Sequence, residues 1–372
     1  MGAQNLAPKK LAEELIITTV LLTLLGLLFI YTSSALKSIE IYNTPLVFFY
    51  KQFFGACLGF LLITIFFYLP FTWVEKLATP FLLFSFVTLS LIYVPNLYSK
   101  AGGAYRWLNL GFIRFQPSEL TKLSLIFFLA KNLSRKTCNI KSIKSSVLTS
   151  LVPVTVFSFF LMQQPDFGST ALLWILTAVM LFIAGLPRKL IFWGIFLLAL
   201  CLCGAILSAP YRLQRLTSFL DPWANISSGG FQIIQSYLAF KNGGSLGVGL
   251  GLSKQKLFFL PEAHTDFVLS VVSEETGLLG TISVALIFLY MITTGYRIAL
   301  CQKEQFRKFL AFGLTSMIAI QASLNFLVVT GLLPTKGIPL PFLSSGISCL
   351  VTFLLVIALL ANIARNTQKV PT

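Results

Sequence analysis

Acidic residues and histidine are scarce in this chain, and charge of either sign is low. Twelve Asp and Glu residues stand against 28 Lys and Arg residues, and there is one histidine, His264. Charged residues make up 11% of the 372 residues, whereas a soluble domain carries about a quarter. This composition argues against a soluble fold. A single histidine, with no carboxylate pair in a known metal motif, also argues against a metal cluster of ordinary spacing.

Cysteine is present but does not indicate a disulfide framework. The six cysteines fall within apolar runs or in basic loops between those runs. None falls in the long loops at 95–117 and 209–265. We therefore expect no disulfides. The cysteines are Cys57, Cys138, Cys201, Cys203, Cys301 and Cys349.

Long apolar runs dominate what is present. Hydrophobic residues make up 56% of the chain, mean hydropathy is +0.85, and several runs approach or exceed the roughly 20 residues that cross a bilayer. The sequence predicts an all-α polytopic integral membrane protein, with residues 1–372 forming a single transmembrane domain. Ten spans are predicted: 15–36, 46–68, 77–95, 118–134, 147–163, 169–186, 189–208, 266–295, 307–330 and 342–364.

The basic residues between the spans set the predicted topology. Loop 131–146 carries five Lys or Arg residues and no acid, and loop 296–308 carries four. With ten spans, these loops and both termini lie on one side, which the positive-inside rule assigns to the cytoplasm. The net charge of +16 therefore reflects topology, and we expect no nucleic-acid partner.

Two long loops are predicted on the extracytoplasmic side, at 95–117 and 209–265, the second between spans seven and eight. Both retain basic residues, among them Arg106 and Arg212, which indicates an anionic partner at the outer face. In the second loop, Phe231, Ile234 and Leu238 have helical spacing. They predict a short amphipathic helix, which either lies in the membrane interface or packs on the protein.

Five glycines follow this helix and predict a flexible segment. No strand precedes them and no Gly-Lys-Ser/Thr motif is present, so the segment is not a nucleotide-binding loop. The glycines are Gly243, Gly244, Gly247, Gly249 and Gly251.

The stretch 254–277 holds the only histidine and four of the twelve acids: Glu262, Asp266, Glu274 and Glu275. Asp266, at the outer end of span eight, either caps the helix or acts as a general base or charge-stabilising carboxylate. Glu274 lies two turns further along the same predicted face. An acid at that depth must pair, stay protonated or serve a function.

Other polar residues lie near the predicted outer ends of the spans. Glu119 and Lys122 form either a local ion pair or part of a polar cavity. Asp166 is interpreted as a turn and helix cap, and Lys336 is either solvated or binds a phosphate. Together they predict an outer site for a lipid-linked anion such as an isoprenoid pyrophosphate. We assign no cofactor from the sequence, and a divalent cation, Mg or Mn, held by Asp266 and substrate phosphates is an open alternative.

These residues lie in motifs that resemble the SEDS family (shape, elongation, division and sporulation), over nearly the whole chain. PEAHTDF and PTKG resemble its FtsW branch more than its RodA branch. The matching blocks are YRWLNLG around Arg106-Trp107, QPSEL at 116–120 followed by Lys122, QPDFG at 164–168, Gln255-Lys256 through LPEAHTDF to Glu275, and GLLPTKGIPLPF at 331–342.

The resemblance implies ten transmembrane helices and a peptidoglycan glycosyltransferase. Such proteins polymerise lipid II into glycan strands at the outer face of the cytoplasmic membrane during cell division, release undecaprenyl pyrophosphate, and work with a class B penicillin-binding protein and other division proteins. The family's essential aspartate matches Asp266, its loop tryptophan Trp107, and its cavity acid and lysine Glu119 and Lys122. We expect Asp266 to be catalytic. Substrate contacts are expected from Arg106, Trp107, Glu119, Lys122, Arg212, His264, Glu274 and Lys336.

The chain departs from the family after PFLS, where Tyr-Gly-Gly-Ser-Ser usually follows and Ser345-Gly346-Ile347-Ser348 stands here. The departure affects the top of span ten and leaves Asp266 untouched. A lipid II flippase or another transporter is the alternative function. It predicts polar residues that continue to the cytoplasmic face, whereas the unusual polar residues here concentrate at the outer ends of spans four, eight and ten.

Overall fold

The computed structural model describes residues 8–95, 97–101, 104–109, 111, 114–135, 140–189, 192–194, 204, 210–226, 229–257 and 260–367. Eleven α-helices lie in these residues. They are α1 Pro8–Tyr42, α2 Val47–Tyr68, α3 Phe71–Ser90, α4 Pro117–Ser134, α5 Ile140–Gln163, α6 Phe167–Ile183, α7 Pro210–Leu220, α8 Gly230–Gly243, α9 Val268–Leu300, α10 Gln305–Val329 and α11 Ile347–Arg365.

Six of these helices are long and apolar enough to cross a membrane: α1, α2, α3 with its 3₁₀ extension to Tyr93, α9, α10 and α11. The protein is therefore a multi-pass membrane protein. Shorter apolar helices cover Val147–Gln163 and Phe167–Ile183. The predicted span 189–208 lies almost entirely outside the described residues, and each of the other predicted spans coincides with a described helix. The count of ten and the topology stay predictions.

Helix α11 is the most buried of the six membrane-crossing helices, and small residues on its neighbours let them approach it closely. Gly55 and Gly59 lie one turn apart on α2, and a Cβ on Gly59 would overlap the Leu354 side chain. Close contact at Gly-xxx-Gly pairs is a common way for helices to pack in a membrane. On α1, a Cβ on Gly26 would overlap the Phe342 carbonyl oxygen in the segment before α11.

The departing segment 345–348 is fixed to its surroundings at the start of α11. Buried Gln52 donates to the Ser344 carbonyl oxygen (3.2 Å) and accepts from the Gly346 N–H (3.0 Å). A Cβ on Gly55 would lie 3.2 Å from Ile347 Cγ2, so Ile347 fills the space that this glycine leaves. Ser348 Oγ accepts from the Gln116 N–H (3.1 Å).

A three-stranded antiparallel sheet lies in the loop between α3 and α4, so the all-α prediction is wrong at this point. Its strands are β1 Tyr98–Ala101, β2 Ala104–Asn109 and β3 Arg114–Phe115, in the order β1-β2-β3. Trp107 on β2 pairs with Ser99 on β1. The sheet matters here because β2 carries both Arg106 and Trp107.

Helix α8 packs on the protein, which decides between the two alternatives left by its sequence pattern. Ile233, Ile234 and Ala239 are buried. Ser236 is also buried, and its hydroxyl donates to the Val329 carbonyl oxygen (2.7 Å) and lies 2.8 Å from Ser270 Oγ on α9. The apolar spacing thus faces α9 and α10, and a serine on the contact face completes the hydrogen bonding.

Helix α9 is broken at Gly277, where φ is 68° and ψ is −166°. The glycine loop, residues 243–252, supplies the backbone partners that the break removes. Val248 N–H and Gly249 N–H donate to the carbonyl oxygens of Glu274 (3.0 Å) and Glu275 (3.1 Å).

In the other direction, the N–H groups of Leu278 and Leu279 donate to the carbonyl oxygens of Gly244 (2.9 Å) and Ser245 (3.3 Å). The prediction of a flexible segment is therefore wrong. These glycines permit positive φ angles and a close approach of the loop backbone to α9. Hydrogen bonds between the loop and α9 then hold the loop in place.

Replacing Gly277 by alanine is expected to lower the melting temperature more than replacing Gly251 does. Both glycines have positive φ, so both substitutions carry a backbone strain of about 1 kcal/mol or more. A Cβ on Gly277 would also overlap the Gly247 amide nitrogen, whereas nothing lies within 4 Å of one on Gly251. Thermal unfolding of the purified variants in detergent measures the difference, and equal melting temperatures would contradict the packing described here.

Candidate active site

Asp266 lies in the turn just before α9 and does not cap that helix. The cap position is Phe267, with no side-chain hydrogen bond. The turn is closed by backbone bonds from Thr265 N–H and Phe267 N–H to the Glu262 carbonyl oxygen, at 3.1 and 3.4 Å. Capping, one of the two interpretations left open for Asp266, is therefore wrong, and its carboxylate is available for other contacts.

The loop between α10 and α11 brings Gly337 against the Asp266 carboxylate. A Cβ on Gly337 would lie 3.0 Å from Asp266 Oδ2, so glycine keeps that face of the acid open. Asn325 of α10 joins the two loops, because its Nδ2 donates to the carbonyl oxygens of Asp266 and Ile338, each at 2.8 Å. Lys336 precedes Gly337 in this loop.

Burial sets the protonation of Asp266. It raises the pKa of the Asp266 carboxyl to about 7, the negative charge of Glu262 adds to the rise, and the positive charge of Arg106 opposes it. Arg106 is itself fixed, since its Nη2 and Nε donate to the carbonyl oxygens of Pro165 (2.6 Å) and Gln164 (3.4 Å). A carboxyl with this pKa is suited to take and return a proton near neutral pH.

Lys336 is a second cation, in the loop whose Gly337 lies against Asp266. It is half-buried, and burial lowers the pKa of its ammonium, with Asp166 opposing the shift and Arg215 adding to it. Asp166 caps α6 as expected, because its carboxylate accepts from the Ser169 N–H (3.2 Å) and hydroxyl (2.8 Å). The charge of Arg106 thus acts on Asp266 and the charge of Asp166 acts on Lys336, and we call these four residues the Asp266 cluster.

Glu119 and Lys122 form an ion pair, one of the two alternatives left by the sequence, at 2.8 Å, with both side chains 3% exposed. The pair is also part of a larger buried network. Lys122 Nζ donates to Gln321 Oε1 (2.7 Å), and Gln321 Nε2 donates to the Pro339 carbonyl oxygen (3.0 Å). The network therefore reaches the same loop that carries Lys336.

Sequence reasoning missed Gln321 and Asn325, although a signal for them exists. They lie four residues apart in the apolar second half of α10, and so on one face of the helix. Both are buried, at 0% and 1% exposure. Buried amides one turn apart in a membrane helix indicate polar contacts with neighbouring segments.

Replacing Asn325 by aspartate is expected to destabilise the protein by about 1–3 kcal/mol, because the two carbonyl oxygens lose their donor while the side chain keeps its shape. Asn325→Leu should have a similar effect, and Ser323→Leu, at an exposed position of the same helix, should have little. The melting temperatures in detergent measure these effects. An unchanged value for both Asn325 variants would show that the bridge adds no stability.

Glu274 contacts a different part of the chain from the Asp266 cluster. Its Oε1 accepts from Asn242 Nδ2 (3.3 Å), and its Oε2 accepts from the Ser253 hydroxyl and the Gln255 N–H (3.2 Å). The shared face predicted for Asp266 and Glu274 is wrong, because α9 begins only after Asp266. Both oxygens hold segment 242–255 in place, and substrate binding by Glu274 stays a prediction.

Glu275 pairs with Lys256 (2.8 Å), so two adjacent acids of α9 anchor the chain that follows α8. Glu275 is 1% exposed and Glu274 is fully buried. Lys256 Nζ also donates to the Gly251 carbonyl oxygen (2.6 Å). The four acids of the stretch 254–277 thus divide into one available carboxylate, Asp266, two that anchor the chain, and Glu262, which contacts Thr265 and Lys37.

The remaining predicted site residues are His264, Trp107 and Arg212. His264 is buried, and its ring packs on Phe48 with a centroid distance of 5.1 Å. Burial lowers its pKa to about 4, with Lys37 adding to the shift and Glu262 opposing it, so the ring is neutral. Trp107 is half-buried, and the side chain of Arg212 lies outside the described residues.

The Asp266 cluster does not provide a full set of ligands for a divalent cation. Within the described ranges, no three His, Cys, Asp or Glu side chains converge, and Asp266 has cations as neighbours. Substrate phosphates and water would have to supply most ligands of a Mg or Mn ion at this position.

The fold and the site define a class: a multi-pass membrane protein with an available carboxylate, of pKa about 7, among fixed cations where loops meet next to its spans. The model of the FtsW, RodA and SpoVE family, described as cell cycle protein, matches residues 13–369. The chain belongs to this family, and the resemblance drawn from the sequence motifs is confirmed.

Individual relatives agree over almost the whole chain. The probable peptidoglycan glycosyltransferase FtsW of Geobacter sulfurreducens is 39% identical over 358 residues, 96% of each chain. Stage V sporulation protein E of Bacillus subtilis is 39% identical over 361 residues, 95% of this chain and 97% of its own.

Two solved structures are also similar. A chain from a peptidoglycan synthase complex has a TM-score of 0.78 at 29% identity, covering 95% of this chain and 97% of its own. A crystal structure of a variant of the rod shape determining protein RodA from Thermus thermophilus has a TM-score of 0.69 at 25% identity, with the same coverage.

Proposed function

We propose that this protein is a peptidoglycan glycosyltransferase that polymerises lipid II into glycan strands during cell division and releases undecaprenyl pyrophosphate. The observation that carries the proposal is the Asp266 carboxyl, with a pKa of about 7, on which the charge of Arg106 acts and against which the loop that carries Lys336 packs. The names of its relatives support the same activity.

In the proposed reaction, Asp266 takes the proton from the 4-hydroxyl of the acceptor sugar. That oxygen attacks the anomeric carbon of the donor, with inversion, and the bond from this carbon to the pyrophosphate oxygen breaks. The leaving pyrophosphate gains negative charge, which fixed cations stabilise. Lys336 and Arg106 are the best candidates for this role, because Lys122 is already bonded to Glu119 and Gln321. Arg212 is a further candidate.

We infer a location in the bacterial cytoplasmic membrane, with ten spans, both termini in the cytoplasm and the Asp266 cluster on the extracytoplasmic side. The basic loops support this topology. A class B penicillin-binding protein is the proposed partner, together with other division proteins, because a similar chain belongs to a solved peptidoglycan synthase complex.

The decisive experiment incubates the purified protein with lipid II, with and without a class B penicillin-binding protein, and separates the products on a gel. We expect polymer that depends on this chain. The alternative, a lipid II flippase, predicts translocation of lipid II across reconstituted vesicles with no polymer under either condition. That outcome would overturn the proposal.

Polymerisation is expected to rise with pH through about 7. Burial raises the pKa of Asp266 from 3.8 to about 7, so the base form is the minor species below pH 7 and the initial rate should fall about tenfold per unit well below it. Glu262→Gln removes a negative charge that raises this pKa and should move the midpoint to lower pH. A profile that is flat between pH 5 and 8 would contradict the assignment.

A further inference from the structure

The glycine loop presents a row of exposed aliphatic side chains. Leu246 is 77% exposed, Val248 40%, Leu250 59% and Leu252 65%. Glycines separate them at 247, 249 and 251. In water, a contiguous apolar patch of this kind is unfavourable and marks a contact with a partner or a membrane.

The backbone of the loop is suited to a lipid environment. Its hydrogen bonds to α9 pair the backbone N–H and C=O groups that the helix leaves unpaired at Gly277. The same bonds satisfy backbone groups of the loop. Non-helical backbone is tolerated at membrane depth only when such groups are satisfied by protein. The loop therefore directs apolar side chains outward while its polar groups are bonded inward.

The exposed row continues the apolar surface of α9. Leu278 and Leu279, which donate to the loop, are 54% and 59% exposed, and Ile282 one turn further is 45% exposed. Gly277 lies twenty residues before Arg297 in the last turn of α9, which corresponds to about 30 Å of helix, the thickness of the hydrocarbon core. The break thus falls at the boundary of that core.

Lysines stand on both sides of the row. Lys241 and Lys254 are exposed, and no described contact pairs either with an acid. Lysines that flank an apolar segment at the membrane boundary extend their ammonium groups to the lipid headgroups. Their positions match an apolar loop with its tip in acyl chains and its two ends at the headgroups.

We propose that the glycine loop is seated among the phospholipid acyl chains of the leaflet in which α9 breaks, with Leu246, Val248, Leu250 and Leu252 in contact with lipid. This lipid contact fixes the depth of Asp266 in the membrane, because Glu274 and Glu275 join the loop to the helical segment that follows Asp266. That the leaflet is the outer one rests on the proposed topology, whereas the lipid contact does not.

Spin labels test directly whether the glycine loop contacts lipid. Single cysteines, such as Leu246→Cys and Leu250→Cys, are introduced into a variant without native cysteines, labelled with a nitroxide and reconstituted in phosphatidylethanolamine and phosphatidylglycerol vesicles. Lys241→Cys and Lys254→Cys are the matched controls. We expect power saturation to show high access to oxygen and low access to a water-soluble nickel chelate in the loop, and the opposite at both lysines.

Two results would overturn the proposal. Access to nickel equal to that at the lysines would place the loop in water, and low access to both reagents would mean that protein covers it. If the cysteine-free variant fails to fold, Leu250→Trp and Lys254→Trp in the native chain replace it. Lipids brominated along the acyl chains should quench the added tryptophan fluorescence at 250 more strongly than at 254. Equal quenching would contradict the proposed lipid contact. Neither measurement depends on polymerisation.

Discussion

Asp266→Asn is expected to fold, insert into the membrane and make glycan polymer about 10² to 10⁴ times more slowly than the unchanged protein. Asparagine keeps the size of the side chain but cannot accept a proton at neutral pH. No described side chain donates to the Asp266 carboxylate, so the substitution breaks no bond of the fold. The effect should therefore fall on the rate of polymerisation and leave the melting temperature nearly unchanged.

The measurement is the initial rate of polymer formation from lipid II with the penicillin-binding partner present. Glu304→Gln is the matched control, because it makes the same chemical change at a residue that pairs with Arg307 (2.7 Å) next to the start of α10. It should polymerise normally. Near-normal polymerisation by Asp266→Asn would remove the aspartate from the mechanism.

Lys122→Met is expected to destabilise the protein by about 3–5 kcal/mol, because it leaves the buried Glu119 carboxylate without its cation. Glu119 Oε2 already has no hydrogen-bond partner among the described residues, so the remaining carboxylate would have little to compensate it. The double variant Glu119→Gln with Lys122→Met removes both charges and should recover most of the lost stability.

Thermal unfolding in one detergent compares the single and double variants. A double variant that is no more stable than Lys122→Met would show that the loss comes from packing or from the bond to Gln321, and that the ion pair itself is not responsible. Polymerisation by the double variant is a separate question, since both residues are also predicted to contact substrate.

The sequence predicted most spans because long apolar runs have few other stable arrangements in a membrane. Asp266, Arg106 and Lys336 were predicted because short polar motifs in such a chain are conspicuous. The structure places Arg106 on β2, Asp266 in the turn before α9 and Lys336 in the loop after α10, and the charge of Arg106 acts on Asp266. The pairing of Glu119 with Lys122 also followed from the spacing of three residues.

The break at Gly277 did not follow from the sequence, because a glycine within an apolar run is compatible with an unbroken helix. Its cause lies in a loop about thirty residues earlier, which supplies the missing backbone partners. The prediction that Glu274 shares a helix face with Asp266 was wrong for a related reason, because it assumed one continuous helix through Asp266. The sheet that carries Arg106 was missed because its strands are short and lie in a loop rich in polar residues and glycine.

The exchange of backbone bonds at Gly277 divides α9 into two mechanical parts. The segment 268–276 is buried almost throughout and follows directly after Asp266, whereas the segment 278–300 has many exposed side chains. A broken helix does not carry rotation or a shift in register past the break. A transmembrane partner that moves the segment 278–300 can therefore act on the acid through the glycine loop and its anchors at Glu274 and Glu275, besides the bond from Asn325 of α10, which makes this loop a coupling element between the two segments.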